Sequence, residues 1–299
     1  MARRSPRTRA RAAVQVTVVG AIDRAARAMA RVLGEAFGEL ADVDGLAEAI
    51  GRRGVAVAGE VVNPEALGPP LRAGLLAGVR EGVQAERRIA LSAASRAVAR
   101  VALEDVETMA LRRPVPDRAA AWITSHGAGL VADIETGTRD AIRRVVSDGL
   151  ARGEHPRTIA KRLRRVVGVH GRQVGPIQRA AATMREAGAS AVRVDAMIER
   201  AMARAQRQRA LMIARTETAN AVQQGRAGLW DDLARGNHVE RARVVRVWLT
   251  ARDERVEDEC AALDGEEVTG LDGPFPGGWS GPTIHPGCRC VVVFEERAA

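Results

Sequence analysis

Apolar residues recur at helical spacing through most of the chain. Between residues 33 and 50 they follow one another at steps of three or four, which places them on one face of a helix: Leu33, Phe37, Leu40, Val43, Leu46 and Ile50. Gly- and Pro-containing segments break this pattern repeatedly. The pattern therefore predicts helices over residues 14–50 and 71–111, a helix capped by Asp117 that contains Trp122, and further helices over residues 130–150, 157–167, 174–186 and 194–229.

The last of these helices carries an unusually small apolar stripe. Its members fall on one side at 3.6 residues per turn: Leu211, Ala214, Thr218, Ala221, Val222, Gly225 and Leu229. Because most of them are small, we expect another element to approach this helix closely. Arg215 and Glu217 lie on opposite flanks of the stripe, where they can bond to whatever packs there.

The pattern changes after residue 243. The run Val244–Thr250 is rich in Val, Trp and Thr, and residues 289–295 form a second strand-like run, with Asp-, Gly- and Pro-rich turns between them. The prediction is a mainly α protein, with a long helical N-terminal body and a small α+β C-terminal domain docked on the helix that carries Arg215. We divide the chain into a flexible basic tail, a helical N-terminal region, a second helical part and the α+β domain, at residues 1–13, 14–116, 117–229 and 230–299.

Composition and charge add a candidate partner. The net charge is +9, yet residues 229–299 carry 14 acidic against 8 basic side chains, a balance of −6, so that the preceding part carries +15. A basic helical body is consistent with binding nucleic acid or an acidic protein surface, although solvated arginine faces are common on helices. Tyr is absent and Phe occurs three times, so base stacking is not the expected binding mode.

Two basic segments are the candidates for contact with phosphates. One is the N-terminal tail, which we expect to be flexible and solvated, and the other is the short basic helix at 157–167, which is equally suited to the outer layer of a bundle. The candidate residues within them are Arg3, Arg4, Arg7, Arg9, Arg11, Lys161, Arg162, Arg164 and Arg165. No apolar run is long enough for a membrane span, and we expect neither a secretory signal nor a membrane partner.

Three cysteines and one histidine near the C-terminus form a candidate zinc site. Cys260, His285, Cys288 and Cys290 have the composition of a structural zinc centre. Residues 288 and 290 are two apart on an expected strand, so their side chains should point to opposite faces, and four-fold ligation would need a bulge or turn. A Cys260–Cys288 bridge, a catalytic thiol and ordinary buried thiols remain open alternatives. The odd number of cysteines is typical of a reducing compartment.

Four charged residues are predicted to form a structural polar network. Arg215 and Glu217 on the helix would meet Asp253 and Asp264, with Arg215 as a bidentate partner of one of these carboxylates. Two enzymatic alternatives use the same region: metal-dependent phosphodiester cleavage by Asp253, Asp258, Asp264 and His285, and ADP-ribosyl transfer by Arg215 with Glu257 and Glu259. Neither set has a phosphate-cradling Gly-rich loop or a nucleophile with its base, so we expect no catalysis.

Short motifs follow one another in a fixed order along the second half of the chain. IARTET at 213–218 precedes, in order, Ala221, Gly225, Trp248, Thr250, Asp253, Val256, Cys260, Leu263-Asp264-Gly265 and HPGCRC at 285–290. Upstream are Trp122 and the run 134–165, which includes GLARGEHPRTIAKRL. In this order the chain resembles the phage Mu protein F-like minor head proteins, the phage head morphogenesis family, over residues 120–294. Some relatives carry a Cys three residues before Cys260, where this chain has Glu257.

The resemblance implies a low-copy virion component of a tailed bacteriophage. Such proteins are associated with the portal vertex, act in prohead assembly or DNA packaging, and in some cases bind DNA. The expected partners are the portal protein, other phage head proteins and DNA, and the expected locations are the virion and, during assembly, the host cytoplasm. The alternative is a nucleic-acid-binding protein or metal-dependent nuclease without a structural virion role.

Overall fold

A computed structural model describes residues 5–39, 46–59, 63–92, 103–163, 166 and 168–297. The helices of this part of the chain are α1 (Pro6–Glu39), α2 (Leu46–Arg53), α3 (Gly68–Ala90), α4 (Leu103–Arg112), α5 (Asp117–Ala151), α6 (Pro156–Leu163), α7 (Gly171–Glu186), α8 (Ala191–Arg235) and α9 (Asp258–Ala261). The strands are β1 (Val244–Leu249), β2 (Glu267–Thr269) and β3 (Val291–Glu296). The predicted class, mainly α with a small α+β C-terminal part, is confirmed.

The contacts divide the chain into two compact units. The first comprises residues 1–29, 73–125 and 213–299, and the second comprises residues 30–72 and 126–212. Neither unit is one continuous stretch of sequence. The predicted domain boundaries at residues 13, 116 and 229 follow chain order instead, and that division stays a prediction.

The first unit contains the sheet, whose strand order is β2-β1-β3 with both pairs antiparallel. In its register Val245 lies opposite both Thr269 and Glu295. Sequence reasoning predicted β1 and β3 but missed β2. Its three residues are Glu, Val and Thr, and so short a run next to a Gly-containing turn gives too little alternation to be recognised.

Both faces of this sheet are covered, because every residue of β1 is buried. One face, with Trp248 and Phe294, packs against α4 and the C-terminal end of α8. The other face, with Val245, Val247 and Val293, packs against α1 through residues spaced four apart: Ala10, Val14, Val18 and Ile22. Strands β1 and β3 are therefore an interior layer between helices, whereas β2 is an exposed edge.

The prediction of a flexible basic tail over residues 1–13 is wrong. Residues 6–13 are the first turns of α1, and Ala10 is buried on the sheet. The prediction relied on the charge of this segment. It overlooked that apolar residues recur every four positions from Ala10 to Ile22, which indicates one buried helix face. Residues 1–4 lie outside the described residues.

Helix α3 packs against the stripe of small residues on α8. A Cβ atom built on Gly82 of α3 would lie 2.2 Å from the carbonyl oxygen of Val222, and one built on Gly225 of α8 would lie 2.2 Å from that of Val79. The two backbones are therefore in direct contact at this crossing. The predicted close approach is confirmed, with the difference that Leu211 of the stripe is 58% exposed.

The second unit is helical in its described part. Its buried apolar residues come from α5, α6, α7 and the first half of α8, among them Ile142, Val146, Ile159, Val174, Ile198 and Met202. Gly168, at a φ of +80°, lies so close to Phe37 that a Cβ there would be 2.6 Å from the ring. In the described part of the chain, none of the helices is long and apolar enough to cross a membrane.

Candidate functional site

The C-terminal Cys/His segment, residues 283–290, is held on α8 by hydrogen bonds to two side chains of that helix. The backbone N–H of Gly287 donates to Thr216 Oγ1 at 3.0 Å. The Thr283 hydroxyl donates to Asn220 Oδ1 at 2.6 Å, and the Thr283 N–H donates to the same oxygen at 3.3 Å. Thr216 and Asn220 are one turn apart, so both face the segment.

A third attachment comes from Arg226, which is completely buried. Its Nη1 donates to the Val292 carbonyl oxygen at 2.5 Å and to Gln223 Oε1 at 3.1 Å, while Nε is paired with Glu86. The guanidinium also lies over the Phe294 ring, 5.3 Å from its centroid. Arg226 therefore joins α3, α8 and β3 in the interior of the first unit.

Three of the four predicted metal ligands converge. Cys260 Sγ lies 3.2 Å from His285 Nε2 and 3.7 Å from Cys288 Sγ, and all three ligand atoms lie within 4.8 Å of one another. Helix α9 presents Cys260. A tight turn presents the other two residues, because the Cys288 N–H donates to the His285 carbonyl oxygen and Gly287 adopts a φ of +75°. This group could hold a metal ion.

Cys290, the fourth predicted ligand, borders this group. It is buried and shares a hydrogen bond with Cys288. The objection from strand alternation does not apply, because β3 begins at Val291 and residues 288–290 are irregular. The sequence interpretation placed the start of this strand at residue 289, which is too early.

The pKa values of the three thiols shift in opposite directions. Burial raises the pKa of Cys260 to about 11. The hydrogen bond from Cys290 lowers the pKa of Cys288 to about 5, and the same bond raises the pKa of Cys290. A thiolate is the form that binds a metal, and Cys288 is the position where this site stabilises it.

The predicted polar network is wrong in its pairing. Arg215 forms its ion pair with Asp23 of α1 and not with Asp253 or Asp264. Asp264 accepts from the N–H and hydroxyl of Thr250, at 2.9 and 3.1 Å, and from Arg252 Nε at 2.8 Å. The physical reason is local: Thr250 and Arg252 follow β1 directly and lie across the turn from Asp264.

Asp253 and Glu217 also have partners other than those predicted. Asp253 forms a bidentate pair with Arg289, whose Nη1 donates to Oδ2 at 2.6 Å. This hydrogen bond lowers the pKa of Asp253 to about 2. Glu217 is buried on α8 and accepts from Asn220 at 3.4 Å. Since Arg289 lies between Cys288 and Cys290, its pair with Asp253 fixes the loop that carries both thiols.

Of the four candidate phosphate-binding side chains that the structure describes, three are engaged within the protein. Arg7 and Arg11 pair with Glu295, which is buried, and Arg11 also pairs with Glu267. Arg162 is held by Glu154 and Asp195. Arg9 is exposed. Arg3, Arg4, Arg164 and Arg165, and the side chain of Lys161, lie outside the described part of the structure.

Sequence reasoning missed the residues that attach the segment and the following strand β3 to α8, namely Thr216, Asn220 and Arg226. Their signal was present, since Thr216 and Asn220 are polar residues one turn apart beside the small stripe. It was missed because the prediction assigned the contacts of this helix to the charged neighbours Arg215 and Glu217. Arg246 was missed as well, although it donates to the carbonyl oxygens of Gly270, Gly273 and Ser280 and thereby fixes the loop that precedes His285.

The acidic set considered for phosphodiester cleavage does not assemble. Among the described residues, the one group of three or more potential metal ligands within reach of each other is Cys260, His285 and Cys288. Asp253 and Asp264 are instead engaged separately by Arg289 and Arg252.

The site and the fold together define a class: a helical protein in which a small sheet and a Cys/His segment are fastened to one long helix. The chain belongs to the family described as Phage Mu protein F like protein, whose profile matches residues 140–293, just over half of the chain. This family indicates a phage head morphogenesis protein, with other phage head proteins as partners and an association with the virion. No match was found among curated proteins or among solved structures.

Proposed function

We propose that the protein is a structural, non-enzymatic minor head protein of a tailed bacteriophage. It associates with the portal vertex, acts in prohead assembly or DNA packaging, and contacts DNA. The family match carries the proposal. The architecture supports it, because two of the motifs that carry the resemblance are attached to each other: Thr216 of the RTET motif accepts a hydrogen bond from Gly287 of the HPGCRC motif.

Purified phage particles provide the test. Quantitative mass spectrometry is expected to find a few copies per virion, far fewer than the major capsid protein, and cross-linking is expected to join the protein to the portal. Absence from both virions and proheads would contradict the proposal. Incubation with DNA and Mg²⁺ or Mn²⁺, and with NAD, is expected to yield no product, and turnover in either assay would contradict the non-enzymatic part.

We also propose that the metal held by the Cys/His group is zinc. Tetrahedral zinc, with Zn–S near 2.3 Å and Zn–N near 2.0–2.1 Å, separates two sulfur ligands by about 3.8 Å and a sulfur from a nitrogen by about 3.6 Å. The Sγ atoms of Cys260 and Cys288 are 3.7 Å apart, and Cys260 Sγ is 3.2 Å from His285 Nε2. Cys290 is the candidate fourth ligand. The ion would join α9 to the turn at 285–288.

Metal analysis of protein purified without chelator tests the zinc proposal. We expect about one equivalent of zinc per chain, lost in a Cys260→Ser variant, with a lower midpoint of thermal unfolding after chelation. Less than about half an equivalent in the wild type would exclude a tight site. A Trp279→Ala variant, altered at a surface side chain of the same loop, is a control that should keep its metal.

A further inference from the structure

The second unit contains an exposed row of arginines on the first half of α8. Its members are Arg193, Arg200, Arg204 and Arg207, called here the arginine row, and all four are exposed. At about 100° per residue they fall within about 60° of arc on the helix surface. The buried residues of the same helix segment, Val194, Ile198, Met202 and Ala205, lie on the opposite side.

Packing fixes which way this row faces. Ile198 and Met202 line a small cavity together with Ile177 and Ala181 of α7, so that the apolar side of α8 is occupied by the neighbouring helix. The row is consequently turned towards solvent. A helix of 14 residue steps rises about 21 Å, which is the length over which the four guanidinium groups are spread.

The members of the arginine row lack carboxylate partners. Within the residues that the structure describes, none of its four members forms an ion pair, and the Arg200 Nε donates only to the Ala196 carbonyl oxygen of its own helix. Some other arginines at the surface are paired and provide a comparison, among them Arg24, Arg52, Arg143 and Arg243.

The row is also unfavourable for the isolated protein. Arg200 and Arg204 are four residues apart and Arg204 and Arg207 are three apart, spacings at which like charges on a helix repel. The two acidic residues of the same segment do not relieve this repulsion: Asp195 and Glu199 lie about 80° or more from the row, and Asp195 is paired with Arg162. An external polyanion would relieve it.

We propose that the arginine row is the surface on which this protein binds the sugar–phosphate backbone of duplex DNA, without sequence preference. This inference rests on the DNA contact in the proposed function. It assigns that contact to α8 instead of the N-terminal segment and residues 157–167. Over about 21 Å a DNA duplex carries about 12 phosphates, so a rigid, straight row of four bidentate donors finds a partner in any register. Base stacking plays no part because the row contains no aromatic residue.

The test compares two variants of the full-length protein with equal loss of charge. In the row variant, Arg193, Arg200, Arg204 and Arg207 are replaced by Gln; in the control variant, Arg24, Arg52, Arg143 and Arg243 are replaced by Gln. Binding to a 30-base-pair duplex is measured at several salt concentrations by fluorescence anisotropy. Circular dichroism and thermal melting check that both variants fold like the wild type.

Four neutralised phosphates contribute about −3.6 to the slope of log affinity against log salt concentration. We therefore expect the row variant to have a slope shallower by about 3 to 4 and to bind at least about 30-fold more weakly at 100 mM salt. The control variant and a row variant with four Lys replacements should keep most of the wild-type slope. If the row variant melts early, the paired variants 193/200 and 204/207 should each lose about half of the slope.

Three outcomes would contradict the proposal, and each of them has a different meaning. A row variant with the slope and affinity of the control variant would refute the arginine row while leaving DNA contact by the protein intact. Wild-type protein without salt-dependent DNA binding would refute the DNA part of the proposed function as well. Polyglutamate that competes as well as duplex DNA of equal charge would identify an acidic protein as the partner and overturn the assignment to DNA.

Discussion

The side chains of the RTET motif on α8 each have a different partner. Arg215 pairs with Asp23, Thr216 holds the Gly287 N–H, and Thr218 is buried against Met29. The sequence indicated that this motif is an attachment point and which segment it holds. It could not assign the partners, because the chain offers many carboxylates and the reach of an arginine side chain is compatible with several of them.

Unlike the partners of the RTET motif, the members of the Cys/His group could be predicted from the sequence. Cysteine and histidine are rare in this chain, with three and five copies, so that few combinations exist. Their convergence at Cys260, His285 and Cys288 followed from composition. The doubt about Cys288 and Cys290 came from placing the start of β3 two residues too early, which is within the usual uncertainty of element boundaries.

Arg226 is expected to be the most sensitive single charge in the first unit. Replacing it by Met would leave Glu86 buried without its partner and the Val292 carbonyl oxygen without a donor, so we expect a loss of about 3–5 kcal/mol in the free energy of unfolding. Urea denaturation followed by tryptophan fluorescence measures this loss.

A double variant separates the charge from the packing at this position. With Arg226→Met and Glu86→Leu together, no uncompensated charge remains, and we expect more than half of the lost stability to return. If the double variant is as unstable as the single one, the hydrogen bond to Val292 and the contact with Phe294 would be the main contributions instead of the ion pair.

At the scale of elements, the crossing of α3 and α8 depends on glycines from both helices. The stripe of small residues on α8 predicted that something would approach closely, and the structure confirms this with Gly78 and Gly82 of α3. The identity of the approaching helix was not predictable from one chain, since the spacing of small residues describes a surface and not its partner.

Replacing Gly225 by Ala is expected to separate these helices. The new Cβ would lie 2.2 Å from the Val79 carbonyl oxygen, a backbone atom that cannot turn away. Overpacking of this kind costs about 1–3 kcal/mol, which outweighs the gain of up to about 1 kcal/mol from the higher helix propensity of Ala. We therefore expect a net destabilisation of about 2 kcal/mol in urea denaturation.

The matched control is Gly129→Ala in α5, where the new Cβ would have nothing within 4 Å. There the helix propensity acts alone, and we expect a gain of about 0.5–1 kcal/mol. Equal effects of the two substitutions would show that the close approach of α3 and α8 is absent in solution.

At the scale of the whole chain, ion pairs join its first residues to its last strands. Arg11 bridges Glu295 of β3 and Glu267 of β2, and Arg297 also pairs with Glu267. Burial alone would raise the pKa of Glu267, but the hydrogen bond from Arg11 and the charges of Arg11, Arg297 and Arg7 lower it more, so that the net shift is downward.

This shift predicts a pH-dependent contribution of Glu267 to stability. A carboxylate whose pKa is lower in the folded state stabilises the fold above its unfolded pKa, about 4.3, and loses this effect as the pH falls through the folded value. Glu267→Gln should therefore cost about 1 kcal/mol at pH 7 and little near pH 3, as measured by urea denaturation. Its exposed neighbour is the control: Glu266→Gln should change stability by less than about 0.3 kcal/mol at both pH values. A cost that does not vary with pH would contradict the ion-pair explanation.

The organisation of the whole molecule was the least predictable part. Local periodicity located nearly all the helices, yet the compact units combine segments that are far apart in sequence, such as residues 1–29 with 213–299. The sequence interpretation treated the basic start of the chain as a tail because nothing nearby could bury it. Its partner is the C-terminal sheet, and pattern reasoning along the chain cannot find a contact across 288 residues.

The pairing of Arg7 with Glu295 has a consequence for the order of events on the ribosome. Helix α1 is made well before β1 and β3, the strands that cover its apolar side. During translation this surface stays without its sheet until β3 has emerged, and closing so long a loop is entropically unfavourable and slow. Nascent chains halted before residue 244 would present an uncovered α1 and be targets for chaperones and proteases.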